Sequence, residues 1–349
     1  MKILICRVLS DVLQVACCTN NEISNVKFKT YSCEGICSGV ISDFAAFKKS
    51  LMLIFKENQA NKVIFTIHTE HSFFQCLKTK SNLKSYCTEF VLDNLRSELY
   101  SWATDQNIYI LHKERSKCLL DLVEVKNPLE LYGKKIEVYW NILCLQVDLV
   151  KPFVNACEEN GVELVGILDD VYVKAKSAFI LLQSDVQFIN FSFEYMSFVQ
   201  FSNEKLIEFD ICKYGIQNLL QLLKATFNIT LDSAMTVLQQ VFVSNNDDWI
   251  LITDMCAKQI HLSRLYLQKM IMNDVKKIVK SKILTSSVIF DSDIQLNFDL
   301  LKKKVIYCKE FEDFNTRYIQ CVLSNFEFSE SFYLYKIFNF ARLLLKKSL

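Results

Sequence analysis

Turn-forming residues are scarce in this chain, which has six glycines and two prolines among 349 residues. Glycine lets backbone amides approach a phosphate closely, because it has no side chain and tolerates positive φ angles. The scarcity therefore weighs against a glycine-rich phosphate-binding loop. Long apolar runs are also missing: stretches such as 50–55 and 248–252 fall far short of the ~20 residues that span a bilayer. We expect no membrane-spanning segment.

An excess of charge of one sign is absent too, since 40 lysines and arginines oppose 39 aspartates and glutamates. This balance argues against a chain-wide basic surface, and we expect no nucleic-acid partner. Residues 1–6 are apolar but too few for a signal peptide, which favours a cytosolic protein. The fourteen cysteines show no repeating pair spacing, so we interpret them as core residues in a reducing compartment.

The spacing of the histidines and cysteines does not indicate a metal site. His68 and His71, with Cys76 further on, do not have a convincing third and fourth ligand for a zinc site. The separation of Cys33 from Cys37 fits neither a zinc motif nor a redox dithiol. We therefore expect neither a metal site nor catalytic residues.

What the chain does have is apolar material: 51% of its residues are hydrophobic and 27 are phenylalanine, enough for a large core divided between at least two lobes. Alternating apolar residues predict strands, and apolar residues at helical spacing predict helices. The predicted strands are 2–8, 13–18, 26–31, 62–68, 108–111, 116–122, 135–144, 186–190, 197–201 and 205–211. The predicted helices are 43–56, 88–103, 147–160, 215–226, 233–242 and 261–279.

This alternation predicts an α/β protein in which a small α+β unit interrupts the first of two lobes. The predicted layout is a first-lobe core over 1–39 and 147–184, an inserted subdomain over 40–146, a second lobe over 185–330, and a terminal amphipathic helix over 331–349. Two similar lobes fit the two-lobed actin/Hsp70-like ATPase architecture.

Four segments carry a family resemblance. The sharpest is the turn of Asn127, Pro128 and Gly133, which follows His112 and Asp121. The others are 39–43 before a helix, 154–164, and 170–179. In order and spacing they resemble the bacterial cell-division protein FtsA, an actin-like family, at low identity over nearly the whole chain. The resemblance implies that an SHS2-like subdomain, here 40–146, replaces one actin subdomain.

The nucleotide pocket of that family relies on aspartates and glycines in two hairpin turns, and these residues are missing here. The first turn aligns with 6–11, which has no aspartate-x-glycine, and the second with 190–195, where aromatic side chains fill the space that phosphates need. Polar residues remain that could contact a nucleotide or simply finish hairpins: Asn190, Ser192, Thr285, Ser286 and Ser287. The resemblance thus implies a degenerate pocket without ATP hydrolysis, with weak binding of ATP and Mg²⁺ as the alternative.

The last residues form an amphipathic pattern. The apolar sector consists of Leu334, Ile337, Phe338, Phe340, Leu344 and Leu345, and the opposite sector of Lys336, Arg342, Lys346 and Lys347. A purely cationic polar face is typical of a helix that lies on an anionic membrane surface. The FtsA family ends in such a membrane-targeting helix. The alternative is a terminal helix packed on the core.

The resemblance implies a non-enzymatic adaptor that self-associates, binds FtsZ and late division proteins, and lies on the cytoplasmic face of the inner membrane at the division septum. Arg264, beside Leu265 and Lys269, aligns with the region that contacts the acidic FtsZ tail, although an ordinary helix-surface arginine is equally consistent. Two other functions stay open. One is a PilM-like cytoplasmic platform of a pilus or secretion system, and the other is an active actin-fold ATPase.

Overall fold

A computed structural model describes most of the chain, namely residues 2–19, 28–182, 186–241, 249–253, 259–279, 287–292, 304–307 and 314–325. The strands are β1 (Lys2–Leu9), β2 (Val12–Thr19), β3 (Lys29–Ser32), β4 (Ile36–Cys37), β5 (Val40–Ile41), β6 (Lys62–Ile67), β7 (Phe73–Asn82), β8 (Ile108–Leu120), β9 (Val123–Glu124), β10 (Lys135–Gln146), β11 (Glu163–Asp169), β12 (Val186–Phe191), β13 (Met196–Ser202), β14 (Lys205–Cys212), β15 (Trp249–Thr253), β16 (Gln259–Ser263), β17 (Ser287–Ser292) and β18 (Lys304–Tyr307). The helices are α1 (Phe44–Asn58), α2 (Glu89–Asp105), α3 (Val147–Glu159), α4 (Asp170–Leu182), α5 (Ile216–Phe227), α6 (Leu231–Val241), α7 (Arg264–Val279) and α8 (Phe314–Ser324).

The described residues divide into two compact units. The first contains the chain up to Ser177, the short stretch Lys205–Phe209 and helix α8. The second contains the described residues within Ala178–Glu204 and Asp210–Glu312. The mixture of strands and helices confirms the predicted α/β class.

Five strands form the main sheet of the first unit, in the order β11-β6-β1-β2-β3. The hairpin of β1 and β2 is antiparallel, whereas β6 runs parallel to β1 and to β11. Helices α1 and α3 pack on this sheet through aromatic side chains: the ring of Phe153 lies 5.1 Å from that of Phe65 and 5.4 Å from that of Phe47. Helix α3 ends before Gly161, whose φ of +65° gives the left-handed conformation that commonly ends a helix.

The boundary of the inserted subdomain differs from the prediction of 40–146. Helix α1 and strand β6 lie inside that range, yet β6 is a central strand of the main sheet and α1 follows a cap at Asp43, whose side chain accepts the Ala46 N–H at 3.0 Å. The prediction that the insertion begins at residue 40 is therefore wrong, because parallel pairing with β1 and β11 holds β6 in the first lobe.

The inserted subdomain has its own sheet, in the order β7-β10-β8-β9, with α2 on one face. Leu95 and Leu99 of α2 share one buried hydrophobic cluster with alternate residues of β10, such as Val138 and Ile142. The two strands predicted over 108–111 and 116–122 are one strand, β8, which follows β10 across two register shifts. Strand β7 was not predicted, because half of its ten side chains are exposed and its alternation is weak.

The second unit is built on the strands β13, β12, β17 and β18, which are neighbours in this order in one sheet, together with the hairpin of β15 and β16. Helices α5, α6 and α7 form its core with one sheet face, where Leu219, Val237 and Ile271 are fully buried. The second lobe was predicted to run to residue 330. That end is wrong, because α8 belongs to the first unit.

The predicted amphipathic helix over 331–349 lies outside the described residues. Among the residues that are described, no helix is both long and apolar enough to cross a bilayer.

Candidate functional site

Charged side chains meet at one edge of the first sheet. Strands β1, β6 and β11 run parallel, so their carboxyl ends share this edge. Arg7 lies near the end of β1, and Asp169 and Asp170 stand where β11 passes into α4. Ligands of open α/β sheets bind outside the carboxyl ends of the strands, so this edge is the place to look for a site.

Asp170 is the centre of the cluster, and its side chain is fully buried. The Arg7 guanidinium binds it with two nitrogens, at 2.9 Å from Nε and 3.3 Å from Nη2. Lys174 Nζ lies 3.4 Å from the same carboxylate and His68 Nδ1 3.6 Å. Burial alone raises the pKa of a carboxyl, but the charges of Arg7 and Lys174 hold the pKa of Asp170 well below its ordinary value.

Tyr318 of α8 completes the cluster from a distant part of the chain. Its hydroxyl donates to Asp170 Oδ1 at 2.6 Å and is hydrogen-bonded to Thr66 Oγ1 at 2.7 Å. Burial, and then the charge of Asp170, raise the pKa of this phenol well above its ordinary value.

Aromatic rings and an amide complete the surroundings of Arg7. The guanidinium lies 5.0 Å from the Tyr318 ring centre and 5.5 Å from that of Phe28, distances typical of cation–π contacts. Its Nη1 donates to Gln14 Oε1 at 2.8 Å. All three guanidinium nitrogens of Arg7 therefore bind groups of this chain.

Asp169 is a second buried carboxyl, and its pKa is shifted in the opposite direction from that of Asp170. Its Oδ2 accepts from Ser72 Oγ at 2.7 Å and its Oδ1 from the backbone N–H of Tyr172 at 2.8 Å. Burial raises its pKa to about 7, and the neighbouring charge of Asp170 acts in the same direction. Asp169 can therefore hold a proton near neutral pH. Both carboxyls are buried, so neither offers a surface to a substrate in this conformation.

The first hairpin turn, between β1 and β2, has its polar groups bound within the chain. Asp11, at φ 55°, donates its N–H to Ile36 O at 3.0 Å and accepts from Cys33 N–H at 2.9 Å. The Ser10 hydroxyl accepts from Ser38 N–H at 3.1 Å. These contacts hold the turn against β4 and its neighbours, and they use the Asp11 N–H, a donor of the kind that a phosphate would need.

The second turn, after β12, is closed in a similar way. The Ser192 hydroxyl donates to Tyr195 O at 2.7 Å and accepts from the Tyr195 N–H at 3.3 Å. The first N–H groups of α5 bind the turn, from Ile216 to Ser192 O at 3.0 Å and from Gln217 to Phe193 O at 2.8 Å. The backbone N–H groups of the first turn of a helix often bind anions, but in α5 the N–H groups of Ile216 and Gln217 are already bound to the hairpin turn.

Gly215 makes this closure possible. A Cβ at this position would come within 2.5 Å of the Phe193 carbonyl oxygen. The turn and the start of α5 therefore approach each other at van der Waals distance, and a bulkier residue would separate them.

The structure brings together only part of the predicted nucleotide set. Asn190 and Ser192 lie at the carboxyl end of β12. Ser287 begins β17, which runs parallel to β12, so it lies at the opposite end of that sheet. Thr285 and Ser286 lie outside the described residues. The residue of β17 that pairs with Asn190 is Asp291, which is not among the predicted pocket residues.

Arg264 has a structural contact in the second unit. Its guanidinium donates to the carbonyl oxygens of Gln240 and, at 3.4 Å, Val241, the last residues of α6. A cation at this position stabilises the negative end of the helix dipole. The predicted membrane-binding residues all lie outside the described part of the chain: Leu334, Lys336, Ile337, Phe338, Phe340, Arg342, Leu344, Leu345, Lys346 and Lys347.

The Arg7–Asp170 cluster was missed by the sequence analysis. A local signal existed, because Arg7 interrupts an apolar strand and Asp169 and Asp170 end another. Charges at such positions are functional or paired. The partners themselves lie 163 residues apart, so no spacing rule connects them.

Comparisons with known proteins fix the fold. A scan against protein-family models finds no match, and neither does a search of curated proteins. Among solved structures, the PilM–PilN type IV pilus biogenesis complex matches with a TM-score of 0.62 at 10% identity, covering 94% of this chain and 99% of that chain. The MamK double helical filament matches with a TM-score of 0.50 at 7% identity, covering 90% and 97%. MreB5 of Spiroplasma citri bound to ADP matches with a TM-score of 0.48 at 12% identity, covering 91% and 95%.

Identities this low establish the fold and nothing finer. The two-lobed prediction is confirmed at that level, and the chain has the mixed α/β fold of the actin-like ATPases.

Proposed function

We propose that this chain is a partner-binding adaptor with an actin-like fold, and that it does not hydrolyse ATP. The observation that carries the proposal is the Arg7–Asp170 pair, which fills the carboxyl edge of the first sheet with an internal ion pair at 2.9 Å. A buried arginine that is already neutralised by a carboxylate offers little to a phosphate.

The two closed turns support the same function. Each turn has a donor that binds the chain itself: the Asp11 N–H donates to Ile36 O, and the Ser192 hydroxyl donates to Tyr195 O. Phosphoryl transfer depends on positioned donors and a metal held by carboxylates. Asp170, which faces Arg7 and Lys174, is not arranged to hold Mg²⁺.

Two versions of the adaptor role have separate support. The likeness to the PilM–PilN complex, over 94% of the chain, favours a platform that binds a PilN-type partner in a pilus or secretion system. The FtsA-like segment around Asn127, Pro128 and Gly133, with the cationic segment after residue 331, favours a membrane-associated division adaptor that binds FtsZ. Self-association, as in the MamK filament, suits either version.

The catalytic half of the proposal is tested by titrating the purified chain with ATP in the presence of Mg²⁺ and by measuring phosphate release. We expect no turnover above the protein-free rate. Turnover that requires Mg²⁺ and is lost in Asn190→Ala, but kept in Asn203→Ala at an exposed position of the β13–β14 hairpin, would overturn it.

The partner half is tested by sedimentation with FtsZ filaments and by complex formation with a PilN-type protein, both from the source of this chain. Binding to FtsZ that Arg264→Glu weakens supports the division role. Because Arg264 also binds the end of α6, Gln268→Ala is the matched control: its amide donates to Val241 O at 2.9 Å and carries no charge. Binding to neither protein counts against both versions.

A further inference from the structure

Strand β7 is an open edge of the inserted subdomain. Among the described residues it pairs with β10 alone, over ten residues and without a bulge. The opposite edge strand, β9, has two residues. A long, regular edge strand presents a row of N–H and C=O groups that another strand can bind.

The usual protections of an edge are missing from β7. Proteins shorten their edge strands, bend them with bulges, or place proline in them. The sequence of β7 contains no proline and no glycine, and its register with β10 is continuous. Within the described part of the chain, the protection found on β7 is charge, since Lys78 and Lys80 are exposed.

The charge on this edge is of one sign. Residues 72–88 contain three lysines and no aspartate or glutamate. On the neighbouring strand, Glu137 is shared by Lys78 and Lys135, each at 2.6 Å. Among the described residues, no carboxylate lies within ion-pair distance of Lys80, although Lys80 stands opposite Glu137 in the register.

We propose that β7 is a docking edge for an extended acidic segment of a partner protein, which adds to the sheet as a fifth strand. Side chains two residues apart project from the same face of a strand, so Lys78 and Lys80 face the same way. A segment with an acidic residue at every second position places its carboxylates beside both lysines. Main-chain hydrogen bonds supply the affinity and the lysines the selectivity.

A second copy of the chain is a poorer occupant. Antiparallel pairing of two β7 strands brings Lys78 and Lys80 of one copy near those of the other, and like charges across a strand pair are destabilising. The biological purpose of peptide docking rests on the proposed adaptor role. The docking itself can be measured whether or not ATP binds.

The experiment uses the full chain and a short capped peptide that alternates glutamate with valine and threonine. Hydrogen exchange is followed with and without the peptide, and affinity is measured at low salt. We expect slower exchange at alternate amides of β7, and Lys80→Glu should weaken binding about tenfold. The matched control Lys84→Glu, an exposed lysine beyond the end of the strand, should change the affinity less than about twofold.

Three results would overturn the proposal. The first is an unchanged exchange rate in β7 at saturating peptide. The second is equal binding of a peptide in which lysine replaces glutamate, since the charge argument would then fail. The third is protection of β7 that rises with protein concentration without peptide, which would identify a second copy as the occupant.

Discussion

Tyr318 and Asp170 share a hydrogen bond of 2.6 Å, although 148 residues separate them in the chain. The phenol and the carboxylate are both buried, and the same carboxylate binds Arg7 of the first strand. Through Asp170, the bond therefore links α8 to β1, the first strand of the chain. The charge of Asp170 helps to hold α8 in place.

Removing the Tyr318 hydroxyl should weaken the fold measurably. Tyr318→Phe keeps the ring against Arg7 but deletes the donor to Asp170, and hydrogen bonds to charged groups contribute about 1.5–3 kcal/mol. We expect the free energy of unfolding, measured by urea titration, to fall within that range. Tyr266→Phe, at an exposed tyrosine of α7, is the control and should have little effect. Equal effects of the two changes would contradict the described contact.

The Arg7–Asp170 pair should behave as one unit. Arg7→Met leaves a buried carboxylate short of its main partner, and Asp170→Asn leaves a buried guanidinium, so each should lower the free energy of unfolding by about 3–5 kcal/mol. The double variant removes both charges and should be more stable than the sum of the single losses predicts. A double-mutant cycle by denaturant titration measures the coupling. Strictly additive losses would show that the two charges do not interact.

Asp169 should make stability depend on pH in a defined direction. Its folded pKa of about 7 lies above its ordinary value of 3.8. The contribution of protonated Asp169 to the free energy of unfolding is therefore complete below about pH 3.8. It declines as the pH rises towards 7 and is lost above pH 7. Asp169→Asn mimics the protonated form, and Ser72 can donate to or accept from the new amide.

The stability of Asp169→Asn relative to the unmodified chain should thus rise between pH 4 and pH 7 and then level off. The change in this difference is at most about 4.5 kcal/mol, since each unit between the folded pKa of about 7 and the ordinary value of 3.8 corresponds to about 1.4 kcal/mol. Chemical denaturation at several pH values measures it. A difference that is constant across this range would show that Asp169 is ionised in the folded chain.

The segment after residue 331 should bind anionic vesicles if the division role is right. Burying one phenylalanine or leucine contributes roughly 1.5–3 kcal/mol, and each cation near an anionic surface about 1 kcal/mol. Phe338→Glu should abolish cosedimentation with such vesicles, whereas Lys346→Ala with Lys347→Ala should weaken it in a salt-dependent way. If Phe338→Glu instead lowers the melting temperature by many degrees, and the unmodified chain never binds lipid, this segment belongs to the core.

Local patterns were enough to predict much of the fold. The strands around Leu4 and Leu13 and the helix that begins at Asp43 follow from alternation, helical spacing and a capping residue. Sequence could not assign β6 to a sheet, because its place depends on parallel partners distant in the chain. The pairs Ile3–Lys62 and Glu163–Lys62 are 59 and 101 residues apart. The same limit explains the wrong start of the inserted subdomain.

The candidate site was less predictable than the fold. The missing glycines and aspartates pointed to Asn190 and Ser192 as pocket residues, and this stays a prediction. The structure shows Ser192 bound within its own turn. The Arg7–Asp170 cluster, at the carboxyl ends of the first-unit strands, could not be inferred. Its residues Arg7, Thr66 and Tyr318 come from three distant segments. Long-range charge pairing leaves no periodic trace in a single sequence.

The position of α8 has a consequence for synthesis of the chain. Thr66 and Tyr318 are bonded across 252 residues, so the partner that satisfies Thr66 and Asp170 is made after the whole second unit. Domains fold in the order in which they leave the ribosome, and contacts of long sequence separation form late. The second unit can therefore reach its final packing while the first unit still lacks α8. The first unit is thus completed last, although most of its residues are synthesised first.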